Sequence, residues 1–294
     1  MNAKHKARKK IEAGTVIIYI ILSAVALICL FPFVHVAAKS LSSDAYVMAN
    51  KIFLLPKGVN VEAYFKIFAD ASILHSLYIS VVITVLFTVL GMLLTICAAY
   101  PLSRKQLKGR SIISFVFMFT MYFSGGMIPE YLLISNLNML DSLSSLVLPL
   151  AFSAYNLLIM KNSLQNSIPV SLEESAILDG AGHMRILWSI VLPLSKPILA
   201  TLSLFYAVGR WNSYQDALFY IKQRIDLRPL QLKLYNLIVQ ANESFQMEAT
   251  SVVQTNPEVM KAACIIFATV PILCIYPFIQ KYFVQGTMIG AVKE

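Results

Sequence analysis

An all-α fold of about six membrane-spanning helices is predicted by two observations: how few charges the chain carries, and where those charges fall. The 294 residues are 58% hydrophobic and 13% charged, against about 25% charged in a soluble domain. No Asp, Glu, Lys or Arg lies between Asp70 and Arg104, between Arg110 and Glu130, between Asp141 and Lys161, or between Lys261 and Lys281. Each gap approaches or exceeds the roughly 20 apolar residues that cross a hydrocarbon core of about 30 Å. The net charge of +9 is read as basic flanks of membrane helices and not as a nucleic-acid surface.

The elements follow in order. Lys4, Lys6, Arg8, Lys9 and Lys10 form a basic N-terminus, residues 1–14, ahead of an apolar run over about 15–38. Val36-Ala37-Ala38 would suit a signal peptidase, but a signal core has about 7–15 apolar residues. This run is longer, so it is read as a retained first helix. Residues 39–70 form a half-polar loop with Pro56, Gly58 and an amphipathic piece at 61–68. A second helix over 73–100 ends at the basic turn 104–110. The third, 111–133, contains Gly125-Gly126 and Pro129, breakers that a membrane tolerates where neighbours satisfy the freed backbone groups. A connection with Asn136, Asn138 and Asp141 leads to the fourth helix, 143–162. The loop 165–193 precedes the fifth helix, 197–219, and a polar loop, 221–256, precedes the sixth, 259–283. Asn256-Pro257-Glu258 marks the start of that last helix: a cap, a residue needing no donor, and an acid at the positive end of the dipole. Residues 285–294 are a tail.

Lys and Arg in short flanks set the orientation. They crowd the N-terminus and 104–110 and are missing from the connection between helices three and four. Both termini, the 104–110 turn and the 165–193 loop are therefore cytoplasmic. The 39–70 and 221–256 loops are extracytoplasmic. Cys29, Cys97, Cys264 and Cys274 form no CxxC pair and are read as buried free thiols. His5, His35, His75 and His183 are scattered and read as structural. No catalytic or metal-ligating constellation exists, and no GxxxxGK[ST] run is present, so any nucleotide is bound by another chain.

The chemistry-bearing segment is cytoplasmic. Ser171 with Glu174 three residues on predicts a capping box and a short helix. Gly180 and Gly182 supply its end, and a second helical stretch, 183–192, stops at Pro193. The small residues Ser175, Ala176, Gly180 and Ala181 permit close approach of another protein's backbone. Read alone, this is either a docking helix or an ordinary amphipathic connector.

The run Glu174-x-Ala176-x-x-Asp179-Gly180-Ala181, with Ile190 and Pro193 downstream, resembles the EAA loop of binding-protein-dependent ABC importer permeases. Ser175 replaces the usual second-position Ala, and Leu187 stands where an aromatic is common. Ala99-Tyr100-Pro101-Leu102-Ser103-Arg104, Gly126-Met127-Ile128-Pro129, Trp211-Asn212, Phe283-Val284-Gln285-Gly286 and Gly290-Ala291-Val292-Lys293 extend the resemblance over nearly the whole chain, closest to the carbohydrate branch. The resemblance implies a type I importer permease in a bacterial cell membrane. It implies ATPase coupling through Glu174, Ala176, Asp179, Gly180, Ala181 and Pro193. It also implies a second related permease, two ATPase subunits that bind ATP and Mg, an extracytoplasmic solute-binding protein, and a sugar as cargo, with no cofactor in this chain. Alternating access would be the mechanism.

Arg210 is the most informative residue outside that loop. It lies about 13 residues into the fifth predicted helix, roughly 20 Å from its cytoplasmic end. An ionisable group at such depth is a functional candidate. Trp211, Asn212, Tyr214 and Asp216 beside it suit a sugar: aromatic faces stack, and amides and charges bond hydroxyls. Arg210 either meets a sugar carboxylate or pairs with Asp216 or snorkels to the interface. Two other readings are an importer permease for an amino acid, peptide or ion, and a secondary transporter. The latter leaves 174–193 without a role.

Overall fold

The computed structural model describes residues 13–247 and 257–291, and every regular element in them is helical. The chain divides into two compact units, 1–69 with 245–267, and 70–244 with 268–294. The basic residues of the extreme N-terminus, the Asn256 cap and the last three residues of the tail lie outside the described residues.

In the first unit, α1 (Ala13–Ser40) continues through Pro32. Its apolar side chains are exposed over most of its length, as a lipid-facing helix requires. The 39–70 segment carries two short helices, α2 (Asp44–Met48) and α3 (Glu62–Ala69). Ser40 Oγ and Tyr64 Oη are 2.8 Å apart. Glu258 holds Lys39 at 2.8 Å and Lys261 at 3.0 Å.

The second unit is built on α4 (Ala71–Ser103), capped by Asp70, whose carboxylate accepts the Ser72 and Ile73 N–H groups. Three predicted spans differ from single rods. The third is two helices, α5 (Arg110–Tyr122) and α6 (Met127–Asn136), bent by 110°. Gly126, at φ +87°, takes a conformation closed to most side chains. The fourth is α7 (Leu143–Val147) and α8 (Ala154–Ser167) around a non-helical stretch, 148–153. Pro149 cannot donate to a helical ladder, Leu150 has φ +60°, and the Ser153 side chain caps α8.

The loop over 165–193 folds as α9 (Val170–Leu178), α10 (His183–Ile186), a π-turn (Leu187–Val191) and α11 (Leu192–Leu194). Pro193 explains the π-turn: it lacks an N–H for the Ser189 carbonyl and its ring crowds that position. The capping box is not formed. Pro169 is the N-cap residue, with no side-chain cap bond, and Ser171 sits inside the helix. The proline's fixed φ of −61° starts the helix two residues early. The fifth span is likewise two pieces, α12 (Lys196–Asn212) and α13 (Gln215–Tyr220). Ser213 between them is extended, and its hydroxyl donates to Asp216.

The polar 221–256 loop contains a 3₁₀ turn (Ile225–Leu227) and a long helix, α14 (Leu230–Met247). Leu230, Leu234 and Leu237 recur at helical spacing within a segment whose polar residues mask the pattern. The last helix, α15 (Pro257–Ala291), starts with proline at its first position as expected and runs past 283, through Pro271 and Pro277. Among the described residues, α1, α4 and the first part of α15 are long and apolar enough to cross a membrane alone. The bent pairs α5–α6 and α10–α12 pass the same test only when each is taken as one unit, a broken span or a re-entrant loop. Cys264 is buried, but Cys29, Cys97 and Cys274 are exposed on apolar helix faces, because those faces turn away from the chain's own core.

Two apolar clusters order the second unit. One joins α4, α8, α10 and α12 through Met92, Ala99, Leu157, Met160, Leu164, Ile186 and Leu202. The other joins α4, α7, α13 and the start of α14 through Ile79, Ile83, Leu146, Ala217 and Leu232.

Candidate substrate cavity and coupling segment

The α4–α12 contact is close because of Gly91. A Cβ there would stand 2.8 Å from Tyr206 Cε1 and 2.7 Å from the Ala151 carbonyl oxygen. Tyr206 Oη is 2.7 Å from Thr95 Oγ1 and accepts the Ser153 N–H at 3.1 Å. One phenol thus ties α4 and α12 to the 148–153 break.

Beside Tyr206 opens a cavity of about 510 Å³, walled by Phe87, Glu130, Asn156, Arg210, Gln215 and Asp216 among others. Arg210 sits in the last turn of α12, where the helix dipole favours a cation. Its Nη1 donates to Asp216 Oδ2. The side chains are 6% and 14% exposed. The guanidinium carbon lies 5.5 Å from the Phe87 ring centre, a cation–π arrangement. Arg210 Nε and Nη2 are buried without a hydrogen-bond partner, which costs about 1–3 kcal/mol per donor. The pairing read from sequence as one option for Arg210 is therefore present, and part of the guanidinium remains unsatisfied.

Of the residues singled out in sequence, Arg210 and Asp216 line this cavity and the other three do not. Trp211 is buried, and its indole N–H donates to the Ala268 carbonyl at 3.1 Å. Asn212 caps back onto the Val208 carbonyl at 3.0 Å. Tyr214 stacks on Tyr235 with ring centres 4.7 Å apart. Sequence reasoning passed over Glu130, Asn156 and Tyr206. Glu130 and Asn156 carried a signal, since each is a polar residue within or beside a predicted span.

The coupling segment has its own geometry. α9 ends in a Schellman motif: the Gly180 N–H bonds the Ile177 carbonyl, and the Ala181 N–H bonds the Ala176 carbonyl, both at 2.9 Å. Gly180 has φ +80°, the left-handed conformation this motif needs. Ala176 and Ala181 pack on the larger apolar cluster. Glu174, Asp179 and Gly180 are exposed. Glu173, one residue before Glu174, faces inward and forms an ion pair with Arg104 at the C-cap of α4. Burial pushes the Glu173 carboxyl up from its ordinary pKa, against the opposing pull of Arg104 and His183. Pro193 lies within α11, just past the π-turn.

Residues 91–289, which include the coupling segment and all of the cavity wall except Phe87, match the family described as binding-protein-dependent transport system inner membrane component. The chain belongs to that family. It is a permease of the ABC transporter class, an all-helical, multi-span protein of the bacterial inner membrane. It is a transmembrane component and not a catalytic subunit. It is 43% identical to the polygalacturonan/rhamnogalacturonan transport system permease protein YtcP of Bacillus subtilis, over 94% of this chain and 97% of that one. It is 40% identical to the protein LplC of the same organism, over 92% of each. Among solved structures it resembles a chain of a bacterial ABC transporter involved in the import of the acidic polysaccharide alginate. That match has a TM-score of 0.80 and 32% identity, and covers 91% of this chain and 95% of the other.

Proposed function

We propose that this permease carries acidic oligosaccharides of the galacturonan type into the cell. Arg210 is the observation that carries the reading: a buried cation in a cavity wall, held by Asp216, with donors left over. A uronate carboxylate supplies the missing acceptors, while Glu130, Asn156 and Gln215 suit sugar hydroxyls. The relative named for polygalacturonan and rhamnogalacturonan transport and the alginate importer support the same chemistry, since both names point to acidic glycans. The substrate path runs past Arg210 and Asp216, with Trp211, Asn212 and Tyr214 holding the wall behind them.

The working assembly is this chain, a second related permease, two ATPase subunits that bind ATP and Mg, and an extracytoplasmic solute-binding protein. Glu174, Ala176, Asp179, Gly180, Ala181 and Pro193 belong to the segment that seats on the ATPase. Its closure shifts the helices between two states. Six spans with both termini in the cytoplasm is the topology proposed.

The test is ATP-dependent uptake of labelled trigalacturonate into proteoliposomes holding the full transporter. Uptake that requires this chain is expected, with less uptake of a neutral galactose trisaccharide. Uptake of the neutral sugar alone would overturn the reading.

A further inference from the structure

Two consecutive acids on α9 meet different surroundings. Glu174 is exposed, whereas Glu173 turns toward α4 and pairs with Arg104. Arg104 folds back over its own helix, its guanidinium carbon 4.9 Å from the Tyr100 ring centre. The two side chains are 18% and 12% exposed, so the pair is largely withdrawn from water. A second tie lies beside it: Gln165 Nε2 donates to the Ser103 carbonyl at 3.3 Å, joining the end of α8 to the end of α4.

Such a pair resists being pulled apart. Separation would leave two charges in a site that cannot solvate them, whatever the net worth of the intact pair. The first turns of α9 and the cytoplasmic end of α4 are thus bound to move together. α4 is one helix from Ala71 to Ser103. Phe87 on the cavity wall lies about 25 Å from Arg104 along it, at 1.5 Å per residue. Gly91 and Thr95, between them, grip Tyr206.

We propose that the Arg104–Glu173 pair is the contact through which displacement of the coupling helix is passed to α4 and on to the cavity wall. Both are positioning residues for transport, touching neither nucleotide nor sugar. The proposal rests on the reading of 174–193 as the ATPase seat. Glu174 meets the partner, and Glu173 relays what Glu174 feels.

The test uses the complete transporter in proteoliposomes, reading uptake per ATP hydrolysed in Arg104→Glu, Glu173→Arg and the double reversal. Each single reversal should lower that ratio at least fivefold, and the double reversal should bring it within twofold of the parent. Arg104→Gln with Glu173→Gln removes the pair without stranding a charge. It decides the matter if the single reversals fail to assemble, and it should lower the ratio with the ATPase subunits still co-purifying. A parental ratio in the neutral pair, or a double reversal as poor as the singles, overturns the proposal. Glu174→Gln separates the two readings. If it leaves both ATPase binding and the ratio unchanged, the assignment of the seat fails, independently of the pair.

Discussion

Gly91 and Tyr206 are in contact with no room for a side chain between them: any Cβ at position 91 would press on the ring at 2.8 Å and on the Ala151 carbonyl oxygen at 2.7 Å. Gly91→Ala sets two effects against each other. Alanine stabilises a helix interior by about 1 kcal/mol over glycine, while overpacking a tight contact costs about 1–3 kcal/mol. One of the crowding atoms is backbone, which cannot rotate away, so the clash wins. Thermal unfolding in detergent is expected to show a lower midpoint for Gly91→Ala and a lower one still for Gly91→Val. An unchanged midpoint in both would mean the helices separate freely at this point.

Asp216 compensates a buried guanidinium. Asp216→Asn leaves Arg210 charged and unpaired, at a cost of about 3–5 kcal/mol. Arg210→Gln together with Asp216→Asn removes both charges and should recover part of that loss. A double-mutant cycle on thermal stability measures the coupling. Strict additivity would mean the ion pair contributes nothing.

Gly180 is a backbone requirement and not a steric one. Nothing lies within 4 Å of a Cβ built there, yet its φ is +80°. Gly180→Ala is expected to cost about 1–2 kcal/mol, paid by loosening the Schellman turn that ends α9. Gly180→Asn should be milder, because asparagine tolerates the left-handed region. The readout is the affinity of the ATPase subunits for the detergent-solubilised permease, which should fall in the order glycine, asparagine, alanine.

Asp141 anchors the loop after α13 by accepting the backbone N–H groups of Lys222 and Gln223 at 2.7 Å and of Arg224 at 3.1 Å. These bonds, that of Arg224 foremost, hold its carboxyl below the ordinary range. A depressed folded pKa adds stability above the unfolded value of about 3.9 and loses it as pH falls through the folded value. Hydrogen exchange at 222–224 should therefore quicken as pH drops from about 4 downward, after correction for intrinsic rates. In Asp141→Asn it should be fast throughout and insensitive to that range.

Much of the fold was legible because apolar length alone marks a spanning helix. α1, α4 and α15 follow from runs that no water-facing helix would carry. What periodicity and length could not supply were the breaks, since each depends on a contact remote in sequence or on a competing local one. Ser153 is held by Tyr206, and Ser213 by Asp216. Gly126 marked a possible break, but neither a glycine nor a proline tells by itself whether a helix bends, stops or continues, and Pro32, Pro271 and Pro277 are all passed without a stop. The capping box was misread because Pro169 starts α9 before Ser171 can cap it. At the site, the charge of Arg210 within an apolar run was visible. The inward turn of Glu173 was not, because two adjacent acids look alike until a partner selects one.

The π-turn at Leu187–Val191 fits an extra residue into one wide turn. Each residue of an ordinary α-helix advances the chain by about 100° around its axis. Removing one residue from this turn would therefore swing everything before it by about that angle relative to α11. The azimuth at which α9 presents its outward acid is thus set by a count of one, so a single-residue deletion here would aim the segment at the wrong quadrant while leaving every side chain in it intact.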